Sequence, residues 1–406
     1  MRLLVSFAAL FLSVVLLQLG LGGLAPLDAL SGAQLGFSEF EVGLLGSAHF
    51  AGFLIGCWWT PRLMGAVGHS RAFAAFTAAG TIGILAHMIV IDPLAWAVMR
   101  MAAGLAIAGC YTIIEAWLQS KVTNATRGRA MGVYRVVDIS GSLGAQLLIG
   151  VLSPAAYVSY NILALLACAA LFPLVLSRAE APETGEAPRL RPILALRRSP
   201  LAAAGVVVSG ITGAAFRMVG PLYGLTVGLA ADRIALFLAA YVLGGAIAQL
   251  PVGWLADRQD RRGVLVWLSV ASVAACAFTI FGGTRGDGAV LVAAFLFGVT
   301  TIPIFSVSAA HAHDFAEQSE RVELSAALMF LYAVGAIASP VIAAVLIAQF
   351  GPGAMFLFLA AAHLFLVVFG IMRIRSGRTA GARTGYVYVP RTSFLIGRLL
   401  VRRRDG

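Results

Sequence analysis

The chain has 406 residues, 60% of them hydrophobic and only 12% charged, with a net charge of +11. A soluble protein of this length cannot hide that much apolar surface, so the composition defines a polytopic membrane protein. The basic excess does not indicate a nucleic-acid partner, because the charges fall in the gaps between apolar runs and no basic helix carries interleaved aromatics.

Length and apolar character predict twelve helices, near residues 4–30, 41–61, 72–91, 94–118, 129–152, 155–177, 201–228, 234–255, 263–282, 288–313, 322–349 and 353–374. The runs suit a hydrocarbon core of about 30 Å crossed at about 1.5 Å per residue. Met1-Arg2 and the apolar run to about Leu24 have the form of a secretory leader, but the many spans that follow make an uncleaved first helix the expectation. Cys57, Cys110, Cys168 and Cys276 all fall inside apolar runs without close-spaced partners, which indicates neither a disulfide framework nor a zinc site. Between the sixth and seventh helices, Arg178 to Pro200 is rich in Glu, Arg and Pro and has no apolar period, so it reads as a linker. The predicted organisation is a six-helix bundle over 1–177, a cytoplasmic linker over 178–200, a second six-helix bundle over 201–377 and a basic cytoplasmic tail over 378–406. The tail combines arginines with Phe394, Leu395, Ile396, Leu399, Leu400 and Val401. It reads either as a segment lying on the anionic inner leaflet or as a solvated basic tail.

With the N-terminus inside, nearly all of the 29 Lys and Arg residues fall in inner gaps. The outer gaps hold only Arg233 and Arg285, while Arg100, Arg135 and Arg217 lie within spans. The positive-inside rule then places both termini in the cytoplasm. The two halves also repeat. Ala25-Pro26-Leu27 matches Gly220-Pro221-Leu222, Gly56 matches Gly253, and Tyr134 matches Tyr332. A nearly constant offset of about 196 positions is what duplication of a six-helix unit leaves.

The turn between the eighth and ninth helices, Gly253-Trp254-Leu255-Ala256-Asp257-Arg258-Gln259-Asp260-Arg261-Arg262, packs two acids and three arginines between apolar runs. It resembles the loop signature of the major facilitator superfamily: glycine, three residues, aspartate, arginine, then further basic residues. Within that superfamily the chain resembles the YcaD-type bacterial permeases, on Glu115-Ala116-Trp117-Leu118, Ala310-His311-Ala312-His313-Asp314 and Tyr388-Val389-Pro390-Arg391-Thr392-Ser393. The resemblance implies an all-α membrane protein of twelve transmembrane helices in two six-helix bundles, working by alternating access. It also implies that Gly253, Asp257, Arg258 and Arg262 form a conformational-switch loop that holds one state closed at the cytoplasmic side. The first-half copy is degenerate, with Thr60 and Pro61 in the aspartate and arginine places after Gly56. Arg100 followed by Gly104 resembles a second signature of the family, and the spacing puts both on one helical face. Arg100 is either bonded to nearby carbonyls or a cavity-facing charge. A third signature, the glycine–proline run of drug–proton antiporters, is not evident in Ser140-Gly141-Ser142-Leu143-Gly144-Ala145-Gln146.

In this fold the first, fourth, seventh and tenth helices line the cavity, so Arg217 is the leading candidate to contact an anionic or carbonyl group of the solute. Arg100, Tyr111 and Tyr223 complete the substrate-binding set, with Tyr241, Gln18, Gln146 and Gln249 as further polar candidates. Each buried charge costs a few kcal/mol unless paired or hydrated. Arg135 and Asp138 are spaced to pair, with Glu115 near them, as a structural network or as a relay. Asp28, near the outer end of the first helix, is expected to be hydrated. The proton-coupling candidates are Glu115, Asp138, Asp28 and His311. His311 aligns with Glu115 in the repeat and is either a neutral helix-end residue or a protonatable gate. His311 and His313 are two apart and point to different faces, so no shared metal is expected.

The expected function is proton-coupled secondary transport of a small solute, with a drug or metabolite efflux antiporter as the alternative. The expected partners are the solute, the bilayer and protons, on a monomer with no metal or cofactor. No Walker loop supports direct ATP use. A membrane-embedded enzyme would need a nucleophile–base pair or a motif such as HEXXH, and a sensor would need an output domain; the sequence offers neither. Cysteines placed at positions 185 and 380 should be shielded from an impermeant thiol reagent added outside intact cells, and cysteines at 34 and 286 should react. Labelling at 185 from outside would reverse the orientation.

Overall fold

The computed structural model describes residues 2–122, 124–176, 191–282 and 286–376, and these form helices, turns and connecting loops with no strand among them. The basic tail and most of the linker lie outside the described residues. The first rod is α1 (Arg2–Leu17), a single π-turn (Gln18–Gly22) and α2 (Leu24–Gln34). It is followed by α3 (Glu39–Val67), α4 (His69–Ala86), α5 (Pro93–Lys121), α6 (Asn124–Ile149), and α7 (Tyr157–Ala169) continued by α8 (Leu171–Val175). A short linker helix, α9 (Pro192–Arg198), leads into α10 (Pro200–Thr226), α11 (Ala231–Arg258), α12 (Arg261–Gly282), α13 (Asp287–His313), α14 (Arg321–Phe350) and α15 (Gly353–Arg375).

Ten of these rods are long and apolar enough to cross a membrane among the described residues, against the twelve expected. The two that fall short are α4 and α6. The first opens on His69 and Arg71, and the second carries Arg127, Arg129, Arg135 and Asp138, which lowers its hydropathy. Both still pack among apolar neighbours, α4 against α5 and α7, and α6 against α1 and α11.

Local chemistry sets the ends. Ser38 and Glu41 form a capping box at the start of α3, the Ser38 hydroxyl accepting from the Glu41 N–H at 3.3 Å and the Glu41 carboxylate accepting from the Ser38 N–H at 2.8 Å. Asp92 caps α5 in front of Pro93, and Ser199 caps α10 in front of Pro200. Pro61 does not end α3, which runs on to Gly68, a residue at φ 84° that stops it. α4, which corresponds to the third predicted span (72–91), ends at Ala86, earlier than expected. There the Trp96 indole donates to the His87 and Val90 carbonyls at 2.8 and 2.9 Å, and so satisfies a helix end.

Glycines let particular helices touch backbone to backbone. A Cβ on Gly52 of α3 would collide with the Met101 carbonyl of α5, and one on Gly104 of α5 would collide with the His49 carbonyl of α3. The second half repeats this reciprocity, Gly244 of α11 against Phe295 and Gly298 of α13 against Tyr241. A further pair, Gly210 and Gly335, joins α10 to α14. Small residues at such crossings are what packing inside lipid requires.

The halves meet along α3 with α14 and α6 with α11, while α10 lies on α2 and α3. The glycine contacts between them gather at one end. Gly43 abuts Pro340 and Ala344, Gly46 abuts Met218 and Pro340, and Gly150 abuts Asp232 and Ala235. That end is therefore closed.

Gly298→Val should cost about 3 kcal/mol or more, because a branched side chain must force α11 and α13 apart. Gly65→Ala, at a helical position with open space around it, should be neutral or stabilise by about 0.5–1 kcal/mol. Thermal melts of the purified proteins test the contrast, and equal melting temperatures would refute it.

Candidate functional site

A cavity lies between the halves, with about 150 Å³ open to the centres of water-sized molecules. The π-turn brings Gln18 and Gly22 to its wall, in keeping with the tendency of such turns to occur at functional sites. The Asp138 carboxylate is held at the wall by two first-half donors, Gln18 Nε2 at 2.8 Å and the Tyr111 hydroxyl at 2.9 Å, both to Oδ1. Arg217 of α10 lines the cavity from the other half, is exposed to it, and forms no ion pair among the described residues. His49, Arg100, Ser142, Gln146, Tyr241 and Tyr332 complete the polar lining, with Phe50 and Phe53 as apolar wall. Tyr241 is fixed by stacking on Phe216 at a centroid distance of 4.1 Å.

Tyr223 does not reach the cavity. It packs between Phe237 and Phe356, with centroids at 5.7 and 4.9 Å. Six residues beyond Arg217 at about 100° per residue, it faces another side of α10. Arg135 and Asp138 do not pair either: Asp138 is taken by Gln18 and Tyr111, while the Arg135 guanidinium lies 4.8 Å over the Tyr134 ring. Glu115 sits away from the cavity, buried, and accepts from the Tyr134 hydroxyl at 3.4 Å.

Asp28 does not face solvent: it is 1% exposed and belongs to a buried cluster at the closed end. The Tyr160 hydroxyl donates to its Oδ1 at 2.9 Å, while His87 Nε2 and Arg100 Nε stand 3.4 and 3.5 Å from its Oδ2. Arg100 Nη2 also reaches Met218 Sδ of the second half at 3.4 Å, so Arg100 touches both halves. His87 was not singled out by sequence reasoning. Its signal was a lone imidazole near the end of a predicted span, which has no meaning until the Asp28 rod is packed beside it.

The loop between α11 and α12 is built on Arg261, which the sequence reading also passed over. Its guanidinium is 2% exposed and donates to Asp314 at 2.7 Å, to the Ala310 carbonyl at 2.9 Å and to Asp257 at 3.0 Å. The i,i+4 spacing of Asp257 and Arg261 was the available clue. Gly253 is buried in α11, Arg258 lies 4.1 Å over the Trp254 ring, and Arg262 grips Asp260 with two nitrogens. Burial works to raise Asp260, but the hydrogen bonds and charge of Arg262 outweigh it and hold the carboxyl below its ordinary range. His311 is buried edge-on to Phe315 at 5.2 Å, one turn before Asp314. In the first half Arg62 repeats the Arg258 arrangement, lying 4.3 Å over Trp58, without the acids. Nearby, α9 is tied to the α13–α14 turn by Arg198 to Glu320 at 2.6 Å and Glu317 at 3.1 Å, with Arg191 to Glu323 at 2.9 Å. The Arg198 hydrogen bond keeps Glu320 below the usual carboxylate range.

Apolar rods in two packed halves, a polar cavity between them and a charged loop between two rods define a multi-pass membrane transporter. The family model of the Major Facilitator Superfamily matches residues 10–231 and 203–403, and the chain belongs to that family. It is similar to the MFS-type transporter Ent638_1421 of Enterobacter sp. (strain 638), at 27% identity over 370 residues, covering 88% of this chain and 94% of the relative. It is also similar to the MFS-type transporter YcaD of Salmonella heidelberg (strain SL476), at 27% identity, covering 91% and 96%. Among solved structures, the nucleoside transporter NupG superposes with a TM-score of 0.74 at 15% identity, covering 92% of this chain and 100% of that one. The protein is thus an MFS transporter and not an enzyme.

Arg261→Ala leaves the nearly dry Asp314 without its cation and should cost about 3–5 kcal/mol. Asp257→Asn, at a half-exposed carboxylate, should cost far less; thermal unfolding separates the two, and equal losses would deny Arg261 its central place. Asp260 and Glu320 have lowered folded values, so their contributions are complete above about pH 4 and are lost as pH falls through the lowered values. The protection factor of the Arg262 amide, which donates to Asp260 at 3.0 Å, should hold above about pH 4 and fall as the pH drops further through the lowered Asp260 value.

Proposed function

We propose that the chain is a secondary active transporter of the bacterial inner membrane that moves a small solute by alternating access, driven by protons, with both termini in the cytoplasm. The observation that carries this reading is the pair of cavity charges: Arg217 from one half and Asp138 from the other, each lining the same space and neither paired with the other. A solute presenting an anionic or carbonyl group to Arg217 and a donor to Asp138 would bridge the halves. The bundles 1–177 and 201–377, joined by the linker, are the bodies that rock, and the glycine contacts at Gly43, Gly46 and Gly150 are the closed gate of the present conformation. Arginine does not titrate near neutral pH and suits binding. A carboxylate such as Glu115 can gain and lose a proton and suits coupling.

Screening solutes for thermal stabilisation of the purified protein, with nucleosides and small carboxylated compounds in the first panel, finds a substrate. Uptake into proteoliposomes under an imposed pH gradient then tests the proton drive, and uptake indifferent to the gradient would refute it. Arg217→Ala should weaken binding of the stabilising solute about tenfold or more at every pH, equivalent to about 1.4 kcal/mol. Glu115→Gln should retain equilibrium exchange and lose gradient-driven accumulation. Accumulation at the normal pH dependence in Glu115→Gln would make Glu115 structural and pass the role to Asp138 or Asp28.

A further inference from the structure

We infer that the solute is a zwitterion of the amino-acid kind: net neutral, with one carboxylate, one ammonium that carries N–H groups, and a small apolar body. The inference rests on the transport reading above and narrows its substrate class, from any anionic or carbonyl compound to one bearing both charges. It starts from the charges of the cavity wall. The formally charged side chains lining the cavity are Arg100, Asp138 and Arg217. Arg100 already has a counter-charge outside the cavity, its Nε standing 3.5 Å from Asp28 Oδ2. One positive and one negative group remain, Arg217 on α10 and Asp138 on α6.

Neither is cancelled by the protein. Arg217 is exposed to the cavity and forms no hydrogen bond or ion pair among the described residues. All five of its N–H donors are therefore uncommitted. Asp138 accepts from Gln18 Nε2 at 2.8 Å and from the Tyr111 hydroxyl at 2.9 Å, but both donors are neutral and both go to Oδ1. Among the described residues nothing donates to Oδ2, and the side chain is only partly buried. The two donors hold the carboxylate in place and leave one oxygen of a charged group for a visitor.

Alternating access requires the halves to close over the solute, which strips water from both groups. A charge stripped of water and left unpaired is expensive. A monoanion satisfies Arg217 but sets a like charge against Asp138. An amine satisfies Asp138 and is repelled by Arg217. A neutral polar molecule cancels neither. A carboxylate on the planar guanidinium and an ammonium N–H on Asp138 Oδ2 cancel both at once, so the solute itself becomes the ion bridge between the halves. The wall sets the body. The 150 Å³ open to the centres of water-sized molecules is room for roughly ten to fifteen waters, and so for a solute of about that many heavy atoms. Phe50 and Tyr332, from opposite halves, meet edge-on at 6.4 Å, and Val242 and Ile302 add aliphatic surface. A ring or a branched aliphatic group suits such a wall.

Two matched sets of compounds test the class. The first is phenylalanine, 3-phenylpropionate, 2-phenylethylamine and the neutral 3-phenylpropanamide; the second is leucine with its matching acid, amine and amide. Binding to the purified full-length protein is measured by isothermal titration calorimetry at neutral pH. In at least one set the zwitterion should bind about tenfold or more tighter than the other three members. Asp138→Asn should erase its advantage over the carboxylate, and Arg217→Gln its advantage over the amine. The wild-type ranking needs no variant, so it decides the matter if either variant fails to give monodisperse protein. No binding by either zwitterion, a single-charge or neutral compound binding as tightly as its zwitterion, or an unaltered ranking in Asp138→Asn overturns the inference and leaves the transport reading standing. Uptake of the bound zwitterion into proteoliposomes that ignores an imposed pH gradient leaves the substrate class standing and removes the proton drive.

Discussion

The molecule depends on backbone contact between specific helices. Inside lipid there is no hydrophobic drive to bring one apolar helix onto another, so association relies on close packing and on polar contacts. The reciprocal glycines of α3 with α5, and of α11 with α13, supply the first. They also fix the second. Gly104 lies one turn from Arg100, so seating Gly104 on the His49 carbonyl delivers Arg100 to the space beside Asp28 and Met218. The charge cluster at one end of the protein is thus placed by a steric fact in the middle of it.

Charge is distributed in three tiers along the bundle. At one end Asp28, His87 and Arg100 are buried and mutually engaged. At the other, Arg261 gathers Asp257, Asp314 and a helix-end carbonyl. Between them the cavity keeps Arg217 and Asp138 uncommitted to each other. Charges engaged with their own chain resist motion, while charges facing a shared cavity are available to a visitor. Arg100 belongs to both kinds, since it faces Asp28 and also lines the cavity.

The sequence made the architecture legible because apolar length, positive-inside bias and a repeated offset are one-dimensional signals. Arg217, Arg100 and Tyr111, read from the sequence as binding candidates, line the cavity, and so does Asp138, which the sequence suggested as a partner for Arg135 and as a proton-coupling candidate. Tyr223 was misplaced because membership of a cavity-lining helix does not say which face a residue occupies. Asp28 looked hydrated because its neighbours, His87, Arg100 and Tyr160, come from three other helices and are distant in sequence. Arg261 was overlooked between two flanking arginines, since only the folded turn shows which of the three points inward. The repeat ran deeper than its first three matches: Trp58 with Arg62 and Trp254 with Arg258 form the same cation–π pair in both halves.

The π-turn at Gln18–Gly22 has a bearing on how the first rod must be read. A turn closed by i→i+5 bonds takes up one residue more than an α-turn. The helical phase therefore slips by about 100°, one residue's worth, between Leu17 and Leu24. A helical wheel drawn through residues 2–34 as one continuous α-helix puts Asp28 on the wrong side of the rod. The slip allows one stretch of chain to offer Gln18 to the cavity and, ten residues later, Asp28 to the buried imidazole of α4's end. Insertions and deletions of a single residue should accordingly be absorbed within this turn and nowhere else along the rod, since elsewhere they would rotate one of those two groups away from its partner.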